Sequence, residues 1–131
     1  MKDLLCDEFQ NTVGELLIRH QSILDILSKS QESAARVNRA VAKAVTRCGC
    51  VQINASKQEI PEEAELQDLK QLLNTHLSGH LCQNCKETTE EELGKSLFYL
   101  AALCNALDIN MYDVLLKEHK KISTLRLFNF T

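Results

Sequence analysis

Apolar residues recur at steps of three and four along most of the chain, and this spacing limits the possible folds more than any other feature. Such spacing places apolar side chains on one face of an α-helix. It is clear in the N-terminal part, at Phe9, Val13, Leu16, Leu17, Leu24 and Leu27. Only four glycines and one proline interrupt the 131 residues, so few turns are available to break helices. The sequence therefore predicts an all-α bundle.

The same spacing predicts about five helices within a single domain, residues 1–131. The helices are expected at 3–29, at 31–47, from Pro61 onward, at 90–107 and at 111–121. The apolar face of the fourth is expected at Leu93, Leu97, Leu100, Cys104 and Leu107.

Residues 48–85 are expected to form a cysteine-containing connection in this bundle. Gly49 is predicted to end the second helix, because glycine readily takes the left-handed conformation of a C-cap. Val51 and Ile53 alternate with polar residues and give the only β-like segment. Thr89 with Glu92 fits the capping box that begins a helix, so the fourth helix is expected to start there.

Four of the six cysteines occur as two closely spaced pairs. Cys48 and Cys50 have the pattern C-x-C, and Cys82 and Cys85 have the pattern C-x-x-C. Each pair is expected in a loop at a helix terminus, and in an antiparallel bundle the two loops can meet. Four thiolates at about 2.3 Å can then surround a tetrahedral Zn²⁺ ion. The sequence predicts a structural zinc site, and no redox context argues for iron.

Other interpretations of the cysteines stay open. His80 is an alternative fourth ligand if one thiolate points away. The four thiols could instead be free, or form disulfides or a redox pair, although no βαβ pattern surrounds the C-x-x-C. Cys6 and Cys104 fall on predicted helices and are interpreted as small apolar core residues.

The charge balance and the N-terminus limit the classes of partner. The net charge is −3 at pH 7, which argues against general nucleic-acid binding. No apolar run approaches the roughly 18 residues of a membrane-spanning helix, and MKDLLCDEFQ has no signal-peptide pattern. We therefore expect a cytoplasmic protein that has no membrane partner and whose thiols are kept reduced.

The segment EEELGKSLFYLAALCNALDINMYDVLLKEHKKI, residues 90–122, resembles the second motif of the MazG-like nucleotide pyrophosphohydrolases. The stretches EELG, LFYL, ALCNALDIN and DVLLKE occur in the family's order from Glu91 through Leu116, about a fifth of the chain. The resemblance implies a MazG-like helical bundle, a divergent member of this family, that assembles as a homo-oligomer. It also implies a nucleotide or another phosphate-bearing ligand.

Active members of the family are similar in holding Mg²⁺ with an E-x-x-E on one helix and an E-x-x-D on the next. Carboxylates three residues apart lie on one helix face and offer the oxygen ligands that Mg²⁺ prefers. The ion then orients the water that attacks a phosphoanhydride. In this chain Glu92 occupies the first position of E-x-x-D, but Lys95 stands at the aspartate position. An ammonium cannot ligate Mg²⁺, so the resemblance implies a scaffold whose metal-carboxylate site is broken.

Two functional hypotheses follow from these residues. In the first, the protein lacks pyrophosphohydrolase activity and is a metal-stapled binding or regulatory module. Its cationic patch for a phosphate-bearing ligand would consist of Arg36, Arg39 and Lys95.

In the second hypothesis, the protein is an active Mg²⁺-dependent nucleoside triphosphate pyrophosphohydrolase with a rearranged acidic site. That site would consist of Glu62, Glu65 and Glu92. Glu62 and Glu65 have the E-x-x-E spacing, although acids in a first helical turn commonly complement the helix dipole. The apolar tail LRLFNFT, residues 125–131, is interpreted as an oligomer interface or as a segment that folds back on its own bundle.

Overall fold

The computed structural model describes residues 4–125, and these residues are predominantly helical. Within them, five α-helices and one small sheet follow in the order α1 Leu4–Leu16, α2 Ile23–Lys43, β1 Val51–Ile53, α3 Leu66–Leu72, β2 Leu77–Gly79, α4 Gln83–Ala106 and α5 Met111–Leu125. A π-helical turn, Ala44–Cys48, extends α2. The prediction of a mainly α-helical protein is confirmed. Residues 126–131 of the apolar tail lie outside the described residues.

The N-terminal apolar pattern is divided between two helices, so the predicted single helix over 3–29 is wrong. α1 ends at Leu16, and α2 begins at Ile23 and continues through the predicted start of a separate helix at residue 31. Ser22 is the N-cap of α2, where its hydroxyl oxygen accepts a hydrogen bond from the Leu24 backbone N–H at 3.3 Å. This bond satisfies a donor that the first turn leaves without an intrahelical partner.

α3 and α4 also begin at other residues than the sequence predicts. Glu65, not Pro61, precedes α3, and it forms a capping box with Asp68. α4 begins at Gln83 rather than at residue 90, with Cys82 as its N-cap. Thr89 is buried inside α4, where its hydroxyl donates to the Cys85 carbonyl oxygen at 2.8 Å. The Thr89 hydroxyl therefore has a hydrogen-bond partner in the helix interior and does not cap a helix N-terminus. The predicted capping box of Thr89 and Glu92 is wrong.

The buried core lies where α4 packs along α2 and against α1. Its fully buried members are Val13, Ile26, Ala101 and Ala102. Alanine side chains are small, so they allow α4 to approach its neighbours closely. α2 and α4 run antiparallel, because the end of α2 and the beginning of α4 lie together at the paired cysteines.

Three leucines of α4 and the leucine that caps its C-terminus form an exposed apolar stripe, which we call the leucine face. Its members and their exposed fractions are Leu93 47%, Leu97 49%, Leu100 45% and Leu107 54%. The fully buried core residues that α4 supplies are instead Ala101 and Ala102. The apolar periodicity therefore identified the helix correctly, but the four leucines of the leucine face are not among the buried core residues in the described part of the chain.

None of the helices in residues 4–125 combines the length and the apolar character that a bilayer-crossing segment requires.

Candidate functional site

The two cysteine pairs lie together where α2 ends and α4 begins. The Sγ atoms of Cys48, Cys50, Cys82 and Cys85 are all within 4.8 Å of one another. The Sγ atoms of Cys48 and Cys82 are 3.7 Å apart, and no disulfide joins the four residues. Sulfurs at about 2.3 Å from a tetrahedral Zn²⁺ stand about 3.8 Å from one another. The predicted convergence of the two pairs is confirmed, and its spacing suits a single metal ion.

A π-helical turn and a left-handed glycine position Cys48 and Cys50. The turn ends at Cys48, and the following Gly49 has φ 78°. Its backbone N–H donates to the Ala44 carbonyl oxygen at 2.8 Å. A π turn inserts an extra residue into the helix and thereby changes the direction of the side chains that follow. Glycine takes this φ without a Cβ clash, so the predicted C-cap at Gly49 is confirmed.

A two-stranded antiparallel sheet joins the segments that carry the two cysteine pairs. β1 pairs with β2 in a register that places Val51 opposite Gly79. Gly79 has φ 86°, and a Cβ atom there would lie 2.6 Å from the Cys50 carbonyl oxygen. No other residue fits this close approach without a shift of the backbone. The sheet thus holds the segment before Cys82 against the segment that contains Cys50.

The N-terminus of α4 favours a thiolate at Cys82. The Cys85 backbone N–H donates to the Cys82 sulfur at 3.4 Å, and this bond lowers the pKa of Cys82 to about 7. The adjacent Cys82 sulfur raises the pKa of Cys85 to about 12 and also raises the pKa of Cys48. Four clustered thiols cannot all ionise without a compensating charge. A divalent cation supplies that charge, and thiols that bind one lose their protons.

A cavity of about 220 Å³ lies in the seam between α2 and α4, and we call it the seam cavity. Its lining residues are Lys29, Glu32, Ser33, Arg36, Lys95 and Tyr99. Arg36 and Lys95, two of the three predicted ligand-binding residues, therefore meet from different helices. Arg39 does not line this cavity.

Lys29 is a cation of the seam cavity that the sequence interpretation missed. A signal for it existed, because Lys29 precedes Arg36 by about two helical turns and so lies on the same face of α2. The Glu32 carboxylate lies between them: it accepts a hydrogen bond from the Arg36 guanidinium at 3.0 Å and is 3.3 Å from the Lys29 ammonium. These two partners, Arg36 first, lower the pKa of Glu32. Three cations against one carboxylate leave the lining net positive.

Glu92 and Lys95 form an ion pair next to the seam cavity. The Lys95 ammonium is 3.5 Å from Oε1 of Glu92, whose side chain is only 14% exposed. Oε2 of Glu92 is buried and has no hydrogen-bond partner among the described residues. A buried carboxylate oxygen without a donor is unfavourable. Lys95 therefore provides a compensating charge at the edge of a poorly solvated acid.

The acidic residues of the alternative hypothesis lie in different parts of the fold. Glu62 and Glu65 are exposed in the connection before α3, where the Glu65 carboxylate accepts a hydrogen bond from Gln67 at 2.8 Å. Within residues 4–125, the four cysteines are the group whose metal-binding atoms converge, and Glu62, Glu65 and Glu92 do not form another. His80 does not belong to the cysteine group either.

Comparison with models of known protein families, with curated proteins and with solved structures finds no match for this chain.

Proposed function

We propose that the protein is a divergent MazG-like module in which a structural zinc ion staples α2 to α4, and in which the seam cavity binds a phosphate-bearing ligand without hydrolysing it. One observation carries this function: the four-thiol cluster lies where α2 ends and α4 begins, and the same two helices line the cationic cavity. The metal fixes the helix ends, and the cavity lies further along the same seam. A rigid seam keeps the cations of both helices in reach of one ligand.

Thiolate chemistry supports zinc as the ion. Four sulfur ligands around one centre are typical of zinc and of iron–sulfur sites, and no redox context in this chain argues for iron. A closed set of four ligands leaves no open position for catalysis. The role of the ion is then structural. A cytoplasmic location fits this assignment, since thiols stay reduced there and remain available as ligands.

Metal analysis tests the zinc staple. Protein purified without added metal should contain close to one zinc per chain, and a chelator should lower its melting temperature. Cys82→Ser should lose the ion, whereas Cys104→Ser, which changes a cysteine of α4 outside the cluster, should keep it. Metal-free protein with an unchanged melting temperature in chelator would contradict the staple.

The lining of the seam cavity supports an anionic ligand. The Arg36 guanidinium can donate two parallel hydrogen bonds to phosphate oxygens, and the Lys29 and Lys95 ammonium groups add charge. The volume of about 220 Å³ is below the roughly 300 Å³ at which sites for drug-sized molecules begin. The cavity therefore suits the phosphate groups of a ligand, with any larger part of that ligand outside it.

Lys95 supports binding without hydrolysis, because its ammonium stands where the resemblance places an aspartate ligand of Mg²⁺. A nucleoside triphosphate with Mg²⁺ should raise the melting temperature but release no pyrophosphate. Turnover that disappears in Glu92→Gln would favour the alternative enzyme that uses Glu62, Glu65 and Glu92. That enzyme stays a prediction of the sequence alone.

The leucine face supports self-association. Leu97 also lines an apolar cavity of about 330 Å³ with Leu5, Cys6, Phe9 and Met111 of α1 and α5. Full burial of a leucine contributes about 1.5–3 kcal/mol, so covering one that is already half-buried contributes about half of that. Large contiguous apolar patches are rare on monomers. We infer that a second copy of the chain covers this surface in a homo-oligomer.

A further inference from the structure

The four sulfurs of the cysteine cluster are not equally accessible. Cys48 is exposed, whereas Cys50, Cys82 and Cys85 are half-buried. Cys48 is also the residue whose Sγ atom lies 3.7 Å from Sγ of Cys82. A small oxidant that arrives from solvent therefore meets Cys48 first, and a second sulfur is already within reach of the product.

We propose that Cys48 and Cys82 form an oxidation-sensitive pair through which a peroxide opens the metal centre. This inference rests on the proposed zinc staple. The pair is a modification site, and its co-reactant is hydrogen peroxide or an organic hydroperoxide.

With hydrogen peroxide as the oxidant, the reaction has two steps. In the first, Cys48, which loses its proton when it ligates the metal, attacks one peroxide oxygen as a thiolate. The O–O bond breaks, and Cys48 becomes a sulfenic acid while the departing hydroxide takes a proton to become water. In the second, the Cys82 thiolate attacks the Cys48 sulfur, the S–O bond breaks, and the departing hydroxide takes a proton to become a second water. Two thiolates are oxidised to one disulfide, and two peroxide oxygens are reduced to water.

The disulfide removes two of the four ligands of the ion. Thiolates bind zinc, whereas disulfide sulfurs carry no charge and are poor ligands, so only Cys50 and Cys85 remain. Two ligands do not complete a tetrahedral site, and the ion is released. The disulfide shortens the sulfur separation from 3.7 Å to about 2.05 Å.

The position of the pair gives oxidation a specific structural result. Cys48 ends the π-helical turn after α2, and Cys82 is the N-cap of α4. A bond between them joins the same two helix ends that the ion joins, across 34 residues of sequence. Oxidation therefore replaces a metal staple with a covalent one, so the helices persist while the zinc leaves.

Zinc release from the full-length, zinc-loaded protein tests this inference. Hydrogen peroxide should release one zinc per chain to a chromogenic chelator and leave the far-UV circular dichroism unchanged. Peptide mapping without reductant should find a Cys48–Cys82 disulfide as the main product. A thiol reductant with added zinc should restore the metal content.

Two variants sharpen the test. Cys104→Ser should release zinc at the wild-type rate, because burial raises the pKa of the Cys104 thiol and the residue lies outside the cluster. Cys48→Ser, loaded with excess zinc, should release it at least tenfold more slowly. If Cys48→Ser holds no zinc, the peptide map of the oxidised wild-type protein tests the inference alone, because it shows whether the Cys48–Cys82 disulfide is the main product.

The possible failures are distinguishable. Zinc-loaded protein that keeps its zinc in peroxide, or that forms another disulfide such as Cys82–Cys85, would overturn the inference. Protein that holds no zinc at all would contradict the proposed staple. A Cys48–Cys82 disulfide in that metal-free protein would still support the sensitive pair, and its absence there would reject it.

Discussion

Lys95 lies one helical turn after Glu92 in α4, and its ammonium nitrogen is 3.5 Å from the Glu92 Oε1 atom. The Glu92 side chain is 14% exposed and the Lys95 side chain 52% exposed, so the lysine carries solvent-accessible positive charge to a mostly buried acid. An acid in place of Lys95 would put a second carboxylate beside Glu92, whose Oε2 atom already has no partner among the described residues. Two adjacent carboxylates in a poorly solvated position would need a cation to balance their charge.

Lys95→Asp should convert the Glu92 turn into a site that responds to Mg²⁺. Without divalent cations the variant should lose about 1–2 kcal/mol, since the buried acid loses its partner and gains a like charge on the same face. Millimolar Mg²⁺ should recover most of this loss, because two carboxylates three residues apart can share the ion. Thermal unfolding with and without Mg²⁺ measures both effects.

Lys95→Met is the matched control for that experiment. It removes the ammonium and adds no acid, so it should lose stability without recovery in Mg²⁺. Equal stabilisation of the wild-type protein, Lys95→Met and Lys95→Asp by Mg²⁺ would show that Lys95 does not prevent metal binding.

Charge changes in the seam cavity should alter ligand affinity in opposite directions. Glu32 is bonded to Arg36 and Lys29, so it competes with a phosphate for the same donors. Glu32→Gln should tighten the binding of a nucleoside triphosphate, and Arg36→Gln should weaken it, each by roughly 3- to 10-fold. Titration calorimetry at one fixed salt concentration without Mg²⁺ measures the change. Arg39→Gln makes the same substitution on α2 outside the lining and should have no effect.

The effect of Glu32 should depend on pH. Arg36 and Lys29 lower the pKa of the Glu32 carboxyl, so Glu32 remains ionised at neutral pH and competes with the ligand there. Because the folded-state pKa is depressed, the stabilising ion pair is present above the ordinary carboxyl pKa and is lost as the pH falls through the lowered value. The wild-type protein and Glu32→Gln should therefore differ in affinity at neutral pH and converge in acid. A constant difference down to strongly acidic pH would exclude Glu32 as the competitor.

The cysteine cluster was predictable because its signals are local. A C-x-C whose middle residue is glycine marks a helix end, and C-x-x-C marks a compact ligand pair. Only the meeting of the two helix ends therefore had to be inferred. The fold supplies that meeting through the antiparallel α2 and α4 and the pairing of β1 with β2.

The start of α4 was not predictable in the same way. Thr89 can cap a helix or bond the carbonyl four residues earlier, and its sequence neighbourhood allows both.

Apolar periodicity also does not distinguish a core from an interface. Leu97 and Val13 both belong to the predicted helical patterns, yet Leu97 is 49% exposed and Val13 2% exposed. A core face and an interface face both have apolar residues at helical spacing. The sequence does not show whether the surface that covers such a face belongs to the same chain or to a second copy. Lys29 was missed for a similar reason. The sequence does not show that this lysine of α2 lines a cavity together with Lys95 of α4.

Gly79→Ala should destabilise the protein and weaken its hold on metal. The added Cβ would lie 2.6 Å from the Cys50 carbonyl oxygen, at a residue with φ 86°, so β2 must shift away from the cysteine segment. We expect a loss of about 1–3 kcal/mol in urea unfolding and a lower zinc content after dialysis. Gly94→Ala is the control: nothing lies within 4 Å of its added Cβ, and it should gain about 0.5–1 kcal/mol as a helix-interior alanine. Equal effects at the two glycines would mean that the sheet does not position the cluster.

Leu97→Glu should dissociate the proposed homo-oligomer while the chain stays folded. Leu97 is half-exposed and belongs both to the leucine face and to the apolar cavity with α1 and α5, so a carboxylate there can be solvated in the monomer but not beneath a second copy. Light scattering coupled to size exclusion should report a smaller mass, with unchanged helical circular dichroism. Leu72→Glu changes a leucine of α3 that is 44% exposed and lies outside that face, so it should keep the wild-type mass. A wild-type protein that is monomeric at every accessible concentration would show that no second copy covers the leucine face, because burial of several leucines would favour association wherever the two surfaces can meet.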